Sequence, residues 1–239
     1  MFKPVTALLA TWLLAGAAHA SVVIGTTRII YPAAAPEVTV QLFNRDEAPA
    51  LLQVWLDDGD ADADPQHIQV PFIISPAMFR IEPEKGQSLR LMYTQEALPA
   101  DRESLFWLNV LQVPPKVEGA ANSLQMAIRT RIKLMFRPDG LAGRAAAAPA
   151  QVRWTLQRSE GQWFVQAQNP SPFVVNLGEV NLTVAGRTLE AGAGHVLPFA
   201  NSRFTVQGDP GEVAAASISY IALDDYGAGR PGQASVAGP

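Results

Sequence analysis

Short runs of alternating apolar and polar residues make up most of this chain. A period of two is typical of β-strands that have one buried and one exposed face. In the first half the alternation occurs at residues 37–43, 51–56, 87–93 and 105–113, with turn-forming Pro, Gly and Asp residues between the runs. The pattern therefore predicts an all-β protein made of antiparallel sandwiches.

The run from Leu124 to Phe136 is the longest and the most informative. Its even positions are apolar except Thr130, and its odd positions are mostly polar or basic. The run exceeds the usual strand of about 5–6 residues. A strand of this length either lies in a core throughout or leaves part of one edge free to pair with another chain. Pattern alone favours the core, which is the usual fate of such a face.

A change of composition divides the chain. A Pro-, Gly- and Ala-rich stretch at 137–150 separates the first set of runs from a second set. The second set lies at 151–157, 163–168, 173–184, 203–206 and 214–223. We predict an N-terminal domain of residues 21–140 and a C-terminal domain of residues 141–239. The Gly-, Pro- and Ala-rich tail from Gly227 to Pro239 is predicted to fray.

Residues 1–20 have the features of a secretory signal peptide. Lys3 supplies positive charge, an uncharged apolar run follows, and Ala18-His19-Ala20 is a small-x-small cleavage site. The apolar run is shorter than the about 20 residues that a transmembrane helix needs. We therefore predict an exported, soluble protein without membrane insertion. Loss of Lys3 would change the formal charge from −4 to −5, and a mildly acidic chain argues against nucleic acid as a partner.

The sequence offers no catalytic or metal site. The chain has no cysteine, and His67 and His195 lie far apart without a ligand pattern. The acidic run Asp57–Asp64 resembles the start of an EF-hand loop, but Ala63 and Gln69 stand where that loop needs Gly and Glu. A solvated turn between strands is the preferred interpretation. We predict a protein that is not an enzyme and binds no metal and no cofactor.

Four motifs occur in order along the chain. They are Thr27-Arg28-Ile29-Ile30-Tyr31-Pro32, the run from Asp101 to Val110 with Val113-Pro114-Pro115 after it, Arg131-Ile132-Lys133-Leu134 with Phe136-Arg137-Pro138, and Asp225-Tyr226-Gly227. In this order and spacing the set resembles the periplasmic chaperones of the chaperone–usher pilus pathway. The resemblance covers nearly all of residues 21–239. It implies two immunoglobulin-like sandwiches arranged as an L with a cleft between them.

The resemblance also implies a function and a location. Chaperones of that family work in the periplasm, where they bind pilus subunits that lack their last strand. They stabilise each subunit by donor-strand complementation and deliver it to an outer-membrane usher. Leu124, Met126 and Ile128 would fill the groove of the subunit, and full burial of each contributes on the order of 1.5–3 kcal/mol before ordering costs. Arg28 and Lys133 would bind the C-terminal carboxylate of the subunit through charge-assisted hydrogen bonds.

Three further charges map onto the interdomain ion network of that family: Glu103, Arg137 and Asp225. Asp224 is a competitor for the last of these roles. Strict alternation places Lys133 on the face opposite to Leu124 and Ile128. We therefore expect a twist or bulge that redirects Lys133 towards the cleft.

Several alternatives remain at this stage. The loop from Lys116 to Ser123 is short, which resembles the short-loop branch of the family that assembles rod-like pili. A free edge near Leu124–Ile128 predicts that the unbound protein forms a capped dimer. A surface adhesin or carbohydrate-binding module would instead expose Trp154 or Trp163. A fibre subunit would need a free N-terminal extension, and strand-like residues begin too early for one.

Overall fold

The computed structural model of the protein describes residues 22–113, 126–211, 213 and 215–237. Within these ranges the chain forms sixteen strands and two short 3-10 helices, Ala145–Ala147 and Pro149–Gln151. The predicted signal peptide, the loop from Lys116 to Ser123 and residue Leu124 lie outside the described residues. The all-β prediction is confirmed, and no helix of the described part is long and apolar enough to cross a membrane.

Nine strands form the first sandwich. They are β1 (Val22–Ile24), β2 (Arg28–Pro32), β3 (Val38–Asn44), β4 (Ala50–Asp57), β5 (Phe72–Ser75), β6 (Met78–Ile81), β7 (Gly86–Tyr93), β8 (Ser104–Val113) and β9 (Ile128–Arg137). One sheet has the order β1-β3-β7-β5, and the other has the order β2-β9-β8-β4-β6. All neighbours are antiparallel except β2 and β9, which run parallel.

The alternation seen in the sequence builds the core between these two sheets. Strand β3 contributes Val40 and Leu42, and the strand beside it, β7, contributes Leu89 and Leu91. The facing sheet contributes Phe106, Leu108 and Val110 of β8 and Ile132, Leu134 and Phe136 of β9. Five aromatic rings pack against one another in the same domain: Tyr31, Phe72, Tyr93, Phe106 and Phe136. Burial of these apolar faces is what holds the sandwich together.

Seven strands form the second domain. They are β10 (Arg153–Ser159), β11 (Gln162–Gln168), β12 (Val175–Val184), β13 (Arg187–Val196), β14 (Asn201–Thr205), β15 (Ala216–Leu223) and β16 (Gly229–Ala237). Their order is β13-β12-β15-β16-β10-β11-β14, and the two outer strands of this order contact each other. The sheet thus closes around one core, which includes Trp154, Leu156, Val165 and Leu182.

Strand β16 contradicts the prediction of a frayed tail. It pairs antiparallel with β15 along its length and parallel with β10 near its end, so it joins the two halves of the domain. The glycines that suggested fraying serve packing. A Cβ on Gly232 would lie only 2.3 Å from the Tyr220 ring, so the ring crosses the strand at a position where no side chain fits.

Candidate functional site

Four side chains form a row across the larger sheet of the first domain. The strand registers place Arg28 opposite Lys133, Lys133 opposite Trp107, and Trp107 opposite Asp57. Directly paired residues point to the same side of a sheet, so the row lies on one face. That face is turned away from the core of the first domain. At the Arg28 and Lys133 end, it meets the second domain.

Arg28 is almost fully buried at this interface, with 8% of its surface exposed. Its Nη1 donates a hydrogen bond of 3.1 Å to the backbone carbonyl of Leu223 in the second domain. Its Nε is buried and has no hydrogen-bond partner among the described residues. Burial lowers the pKa of Arg28, although Asp224 and Asp225 act in the opposite direction. The guanidinium therefore retains an unused donor.

Lys133 lies next to Arg28 and is held by the second domain. Its Nζ donates a 2.7 Å hydrogen bond to Oδ1 of Asn176 and lies 5.4 Å from the centroid of the Trp107 ring. Burial and then the charge of Arg28 lower the pKa of Lys133 to about 8. Burial and then Lys133 lower the pKa of His195 to about 4. The site thus contains a cation whose charge is poorly compensated.

The expected twist or bulge at Lys133 is wrong. The pairing of β8 with β9 runs from Ile128 to Phe136 without a shift. Lys133 does lie on the face opposite to Ile128, as alternation requires. The odd-numbered face of β9 is itself the face that meets the second domain, so no redirection is needed.

Glu103, Arg137 and Asp225 lie together across the two domains. Nε of Arg137 donates to Glu103 at 2.6 Å, and its two terminal nitrogens donate to Asp225 at 2.7 and 2.9 Å. The second oxygen of Glu103 accepts the backbone N–H of Val174 at 2.7 Å. Burial acts to lower the pKa of Arg137, but the two carboxylates outweigh it and raise that pKa. Asp224 instead accepts hydrogen bonds from backbone groups of its own turn.

A cavity of about 570 Å³ lies beside this ion network. Its lining includes Ala, Val and Pro side chains of the second domain, the charged residues of the network, and Met135 and Asn176. Asn176 therefore stands between this cavity and Lys133.

Strand β9 has a free edge at its beginning. It pairs with β8 from Ile128 onward, whereas β2 pairs only with residues 133–137. In the described part of the chain, residues 128–132 have no strand on the β2 side. Met126 and Ile128 are 70% and 53% exposed, on the face that is buried from Ile132 onward. An exposed apolar face and an unpaired backbone edge thus occur together, which is the arrangement that accepts an added strand.

The first residue of the acidic run has a structural role. Asp57 is buried and accepts hydrogen bonds from Arg131 and, at 2.7 Å, from Asn109. Arg129 donates to Asn109 at 2.8 Å and to the carbonyl of Ala61 at 2.6 Å, which ties the rest of the run to β9. No group of three or more His, Asp or Glu residues suited to a metal occurs within the described ranges. The run is therefore an anchored turn.

Sequence reasoning missed Trp107, Asn176 and His195. In the sequence, Trp107 is one residue of the run from Asp101 to Val110, and His195 has no ligand pattern around it. Asn176 carried the clearest signal, because it is the one amide in the apolar stretch from Phe173 to Leu177. A polar residue on the buried face of a strand usually has a specific partner.

The comparisons with known proteins agree with this geometry. Residues 21–142 match the family described as pili and flagellar-assembly chaperone, PapD N-terminal domain, and residues 147–234 match the pili assembly chaperone PapD, C-terminal domain. The chain is 41% identical over 230 residues to the chaperone protein FimB/FhaD of Bordetella pertussis, covering 94% of this chain and 91% of that protein.

Two solved structures extend the similarity to the fold. The CupB2 chaperone of Pseudomonas aeruginosa matches with a TM-score of 0.76 and 37% identity, covering 90% of this chain and 100% of the other. The Salmonella enterica SafB chaperone, solved in complex with the SafA pilin, matches with a TM-score of 0.74 and 30% identity, covering 90% of this chain and 96% of the other.

These matches also bear on the alternatives. The adhesin interpretation is not favoured, and Trp154, one of its two candidate sugar-binding residues, is 3% exposed in the core of the second domain. The two immunoglobulin-like domains inferred from sequence are confirmed. The chain belongs to the family of PapD-like pilus-assembly chaperones of the chaperone–usher pathway.

Proposed function

We propose that this protein binds pilus subunits in the periplasm by adding strand β9 to them, and then delivers them to an outer-membrane usher. The observation that carries the proposal is the position of Arg28 and Lys133 at the closed end of the free edge of β9. Backbone pairing and charge recognition are thus available to one and the same bound segment.

The proposal allows the bound segment one direction. A strand added beside residues 128–132 occupies the line that β2 continues from Arg28 onward. Its C-terminal carboxylate would meet Arg28 and Lys133 only if it runs in the same direction as β9. The added strand is therefore parallel to β9, as β2 is. A bound end also sets the register, because the carboxylate has one allowed position.

Electrostatics favours a carboxylate at this position. Among the described residues neither Arg28 nor Lys133 forms an ion pair, although Arg28 is buried and Lys133 is half-buried. Two adjacent buried cations repel each other, and each lowers the stability of the charged form of its neighbour. A carboxylate would accept the free Nε donor of Arg28 and N–H groups of Lys133. Hydrogen bonds to charged groups contribute about 1.5–3 kcal/mol each.

The apolar face of β9 supplies the rest of the binding free energy. Met126 and Ile128 project from the face that would cover the open core of an incomplete subunit. Leu124 would extend this face by one more position, although it lies outside the described residues. In the absence of a subunit, the same edge would pair with a second copy of the chain. Such capping would limit aggregation of the free protein.

The two domains, residues 21–140 and 141–239, act together in this proposal. Arg137 joins them through Glu103 and Asp225, so the cleft residues of both domains keep a fixed spacing. The binding step uses no cofactor, metal or nucleotide and breaks no covalent bond. The signal-like residues 1–20 support export to the periplasm, where the subunits would be met.

Co-expression in the periplasm with a pilus subunit tests the proposal. We expect the native chain to yield soluble 1:1 complex by affinity capture and native mass spectrometry. Lys133→Ala is expected to lose most of it, whereas Lys85→Ala, which removes an exposed lysine, is a matched control and should retain it. Equal recovery with Lys133→Ala would contradict carboxylate anchoring. Absence of complex with every subunit tried would contradict the proposed function itself.

A further inference from the structure

We propose that Asn176 of the second domain is a positioning residue for subunit binding: it holds the Lys133 ammonium at the end of the free edge without neutralising it. The inference deepens the proposed function and rests on it. Arg28 and Lys133, which would bind the subunit carboxylate, form the anchor of the proposed function. Asn176 adds to this anchor a residue from the domain that does not donate the strand.

The contact between the two side chains is short and its orientation is fixed by chemistry. Oδ1 of Asn176 lies 2.7 Å from Nζ of Lys133. An ammonium has three donors and no acceptor, so the amide must turn its oxygen towards it. The amide nitrogen then faces Sδ of Met135 at 3.5 Å, where a weak acceptor is sufficient. Asn176 is 5% exposed, so water does not compete freely for either end.

Asn176 is held by rigid backbone. It lies in β12 and pairs directly with His195 of β13, and both side chains face the first domain. Residues on paired strands are positioned more accurately than residues on loops. The pair Asn176 and His195 therefore faces the pair Arg28 and Lys133 across the domain interface.

The identity of the side chain at 176 matters because of the other groups near Lys133. Arg28 lies beside it on β2, Arg131 covers the same Trp107 ring at 4.2 Å, and His195 faces it from β13. Asp57 is paired with Arg131. Within the described ranges, Asn176 is thus the one hydrogen-bond acceptor that the structure gives to the Lys133 side chain.

A neutral acceptor at this position leaves the anchor usable. The amide occupies one N–H of the ammonium and leaves two donors for a carboxylate. It also contributes no negative charge that would repel the carboxylate. A carboxylate at residue 176 would form an ion pair with Lys133 and would repel the carboxylate of the subunit. It would therefore compete with the subunit end for Lys133. A purely apolar residue would leave the ammonium buried without a partner.

Two variants with opposite expected effects test this role, measured on the full exported chain. Asn176→Leu removes the acceptor while keeping the branch at Cγ, and Asn176→Asp replaces it with a charged one. The first readout is the reactivity of the Lys133 amine with an acylating reagent as a function of pH, resolved by mass spectrometry with exposed Lys85 as internal reference. The second is binding of an alternating apolar peptide with a free C-terminal carboxylate, compared with the same peptide amidated.

We expect Asn176→Leu to lower the pKa of Lys133, with roughly a tenfold rise in the ratio of neutral to charged amine at pH 7. Asn176→Asp is expected to raise that pKa. Both variants should bind the carboxylate peptide at least about fivefold more weakly and approach the affinity of the amidated peptide. A residue that served folding alone would not shift Lys133 reactivity in opposite directions in two folded variants.

The outcomes separate this inference from the proposed function. If the native chain prefers the carboxylate peptide but both variants leave Lys133 reactivity and binding unchanged, the role of Asn176 is wrong and the anchor remains. If the native chain shows no preference for the carboxylate over the amide, the anchoring proposal fails regardless of Asn176. If thermal denaturation shows one variant to be unfolded, the other variant still decides, because each predicts its own sign.

Discussion

Lys133 and Arg137 lie on the same strand and the same face, and both point towards the second domain, yet the charges around them differ. Arg137 meets two carboxylates, Glu103 and Asp225, with three hydrogen bonds between 2.6 and 2.9 Å. Lys133 meets a neutral amide, an aromatic face and a second cation, Arg28. One charge is fully compensated, and the other is not.

Under the proposed function, the difference separates a structural cation, Arg137, from a binding cation, Lys133. A compensated ion pair at an interface fixes geometry and has no capacity left for a ligand. A buried ammonium with a neutral partner retains both charge and donors, so it has a high intrinsic preference for an incoming anion. Substitutions and changes of pH can show whether the two cations divide these roles.

The largest effect is expected for Arg137→Ala. The substitution leaves Glu103 buried and unpaired, which should lower the free energy of unfolding by about 3–5 kcal/mol. Urea denaturation followed by tryptophan fluorescence measures this loss. Arg230→Ala is the matched control, because Arg230 is exposed and, among the described residues, forms an ion pair only with Asp224; its expected cost is at most about 1 kcal/mol. Equal losses of unfolding free energy in the two variants would show that Arg137 has no special structural role.

A smaller loss is expected for Asp57→Ala, which tests the other compensated cation of β9, Arg131. Buried Asn109 and Arg131 would lose an acceptor, at a cost of about 1–3 kcal/mol. Burial opposes ionisation of Asp57, but Arg131 and Asn109 outweigh it and lower its pKa below the usual 3.8. The stability that Asp57 contributes is therefore complete above that value and is lost as the pH falls through its lower folded pKa. The free energies of unfolding of the native chain and of Asp57→Ala, measured as a function of pH, should therefore converge at low pH.

The binding cation predicts a pH effect of about tenfold. Since the pKa of free Lys133 is lowered to about 8, its charge is present below that pH and is lost above it. Affinity for a peptide with a free C-terminal carboxylate should be nearly constant between pH 6 and 7 and fall roughly tenfold from pH 7 to 9. His195, with its pKa lowered to about 4, stays neutral throughout. A flat profile to pH 9.5 in calorimetric titrations would show that Lys133 is not the titrating group.

The smallest effect is expected for the stability of Lys133→Met. Removal of the ammonium relieves its repulsion with Arg28 but leaves Oδ1 of Asn176 without its partner. We expect these contributions to offset, with a change of less than about 1 kcal/mol in the free energy of unfolding. A loss as large as that of Arg137→Ala would mean that the two cations share the structural role, and the comparison would fail.

Much of the first domain could be predicted from the sequence, because apolar and polar residues alternate along its strands and the apolar ones face a single core. The run predicted at 37–43 became β3, Val38–Asn44, and the run at 105–113 became β8, Ser104–Val113. Short-range pattern is informative wherever one face is buried and the other is exposed. The charged site residues came from the family resemblance, since alternation alone does not distinguish Lys133 from a surface lysine.

The remaining features depend on contacts between distant segments. The tail was predicted to fray because it is rich in Gly and Pro, but Gly232 is small to admit the ring of Tyr220 from the neighbouring strand. The direction of Lys133 was expected to need a bulge because the position of the second domain is not visible in the strand itself. The role of Asn176 requires knowing that β12 faces β9 across the interface.

The start of β2 at Arg28 determines the length of the free edge of β9. It blocks the line beside β9 and leaves residues 128–132 open, a stretch of roughly 17 Å at about 3.3 Å per residue. Under the proposed function, the last residue of a segment seated there would stop at Arg28, so each of its other positions would be set by its distance from its own C-terminus. The chaperone would then select a segment by the distances of its apolar residues from the chain end. Subunits with different sequences would share one chaperone wherever those distances agree.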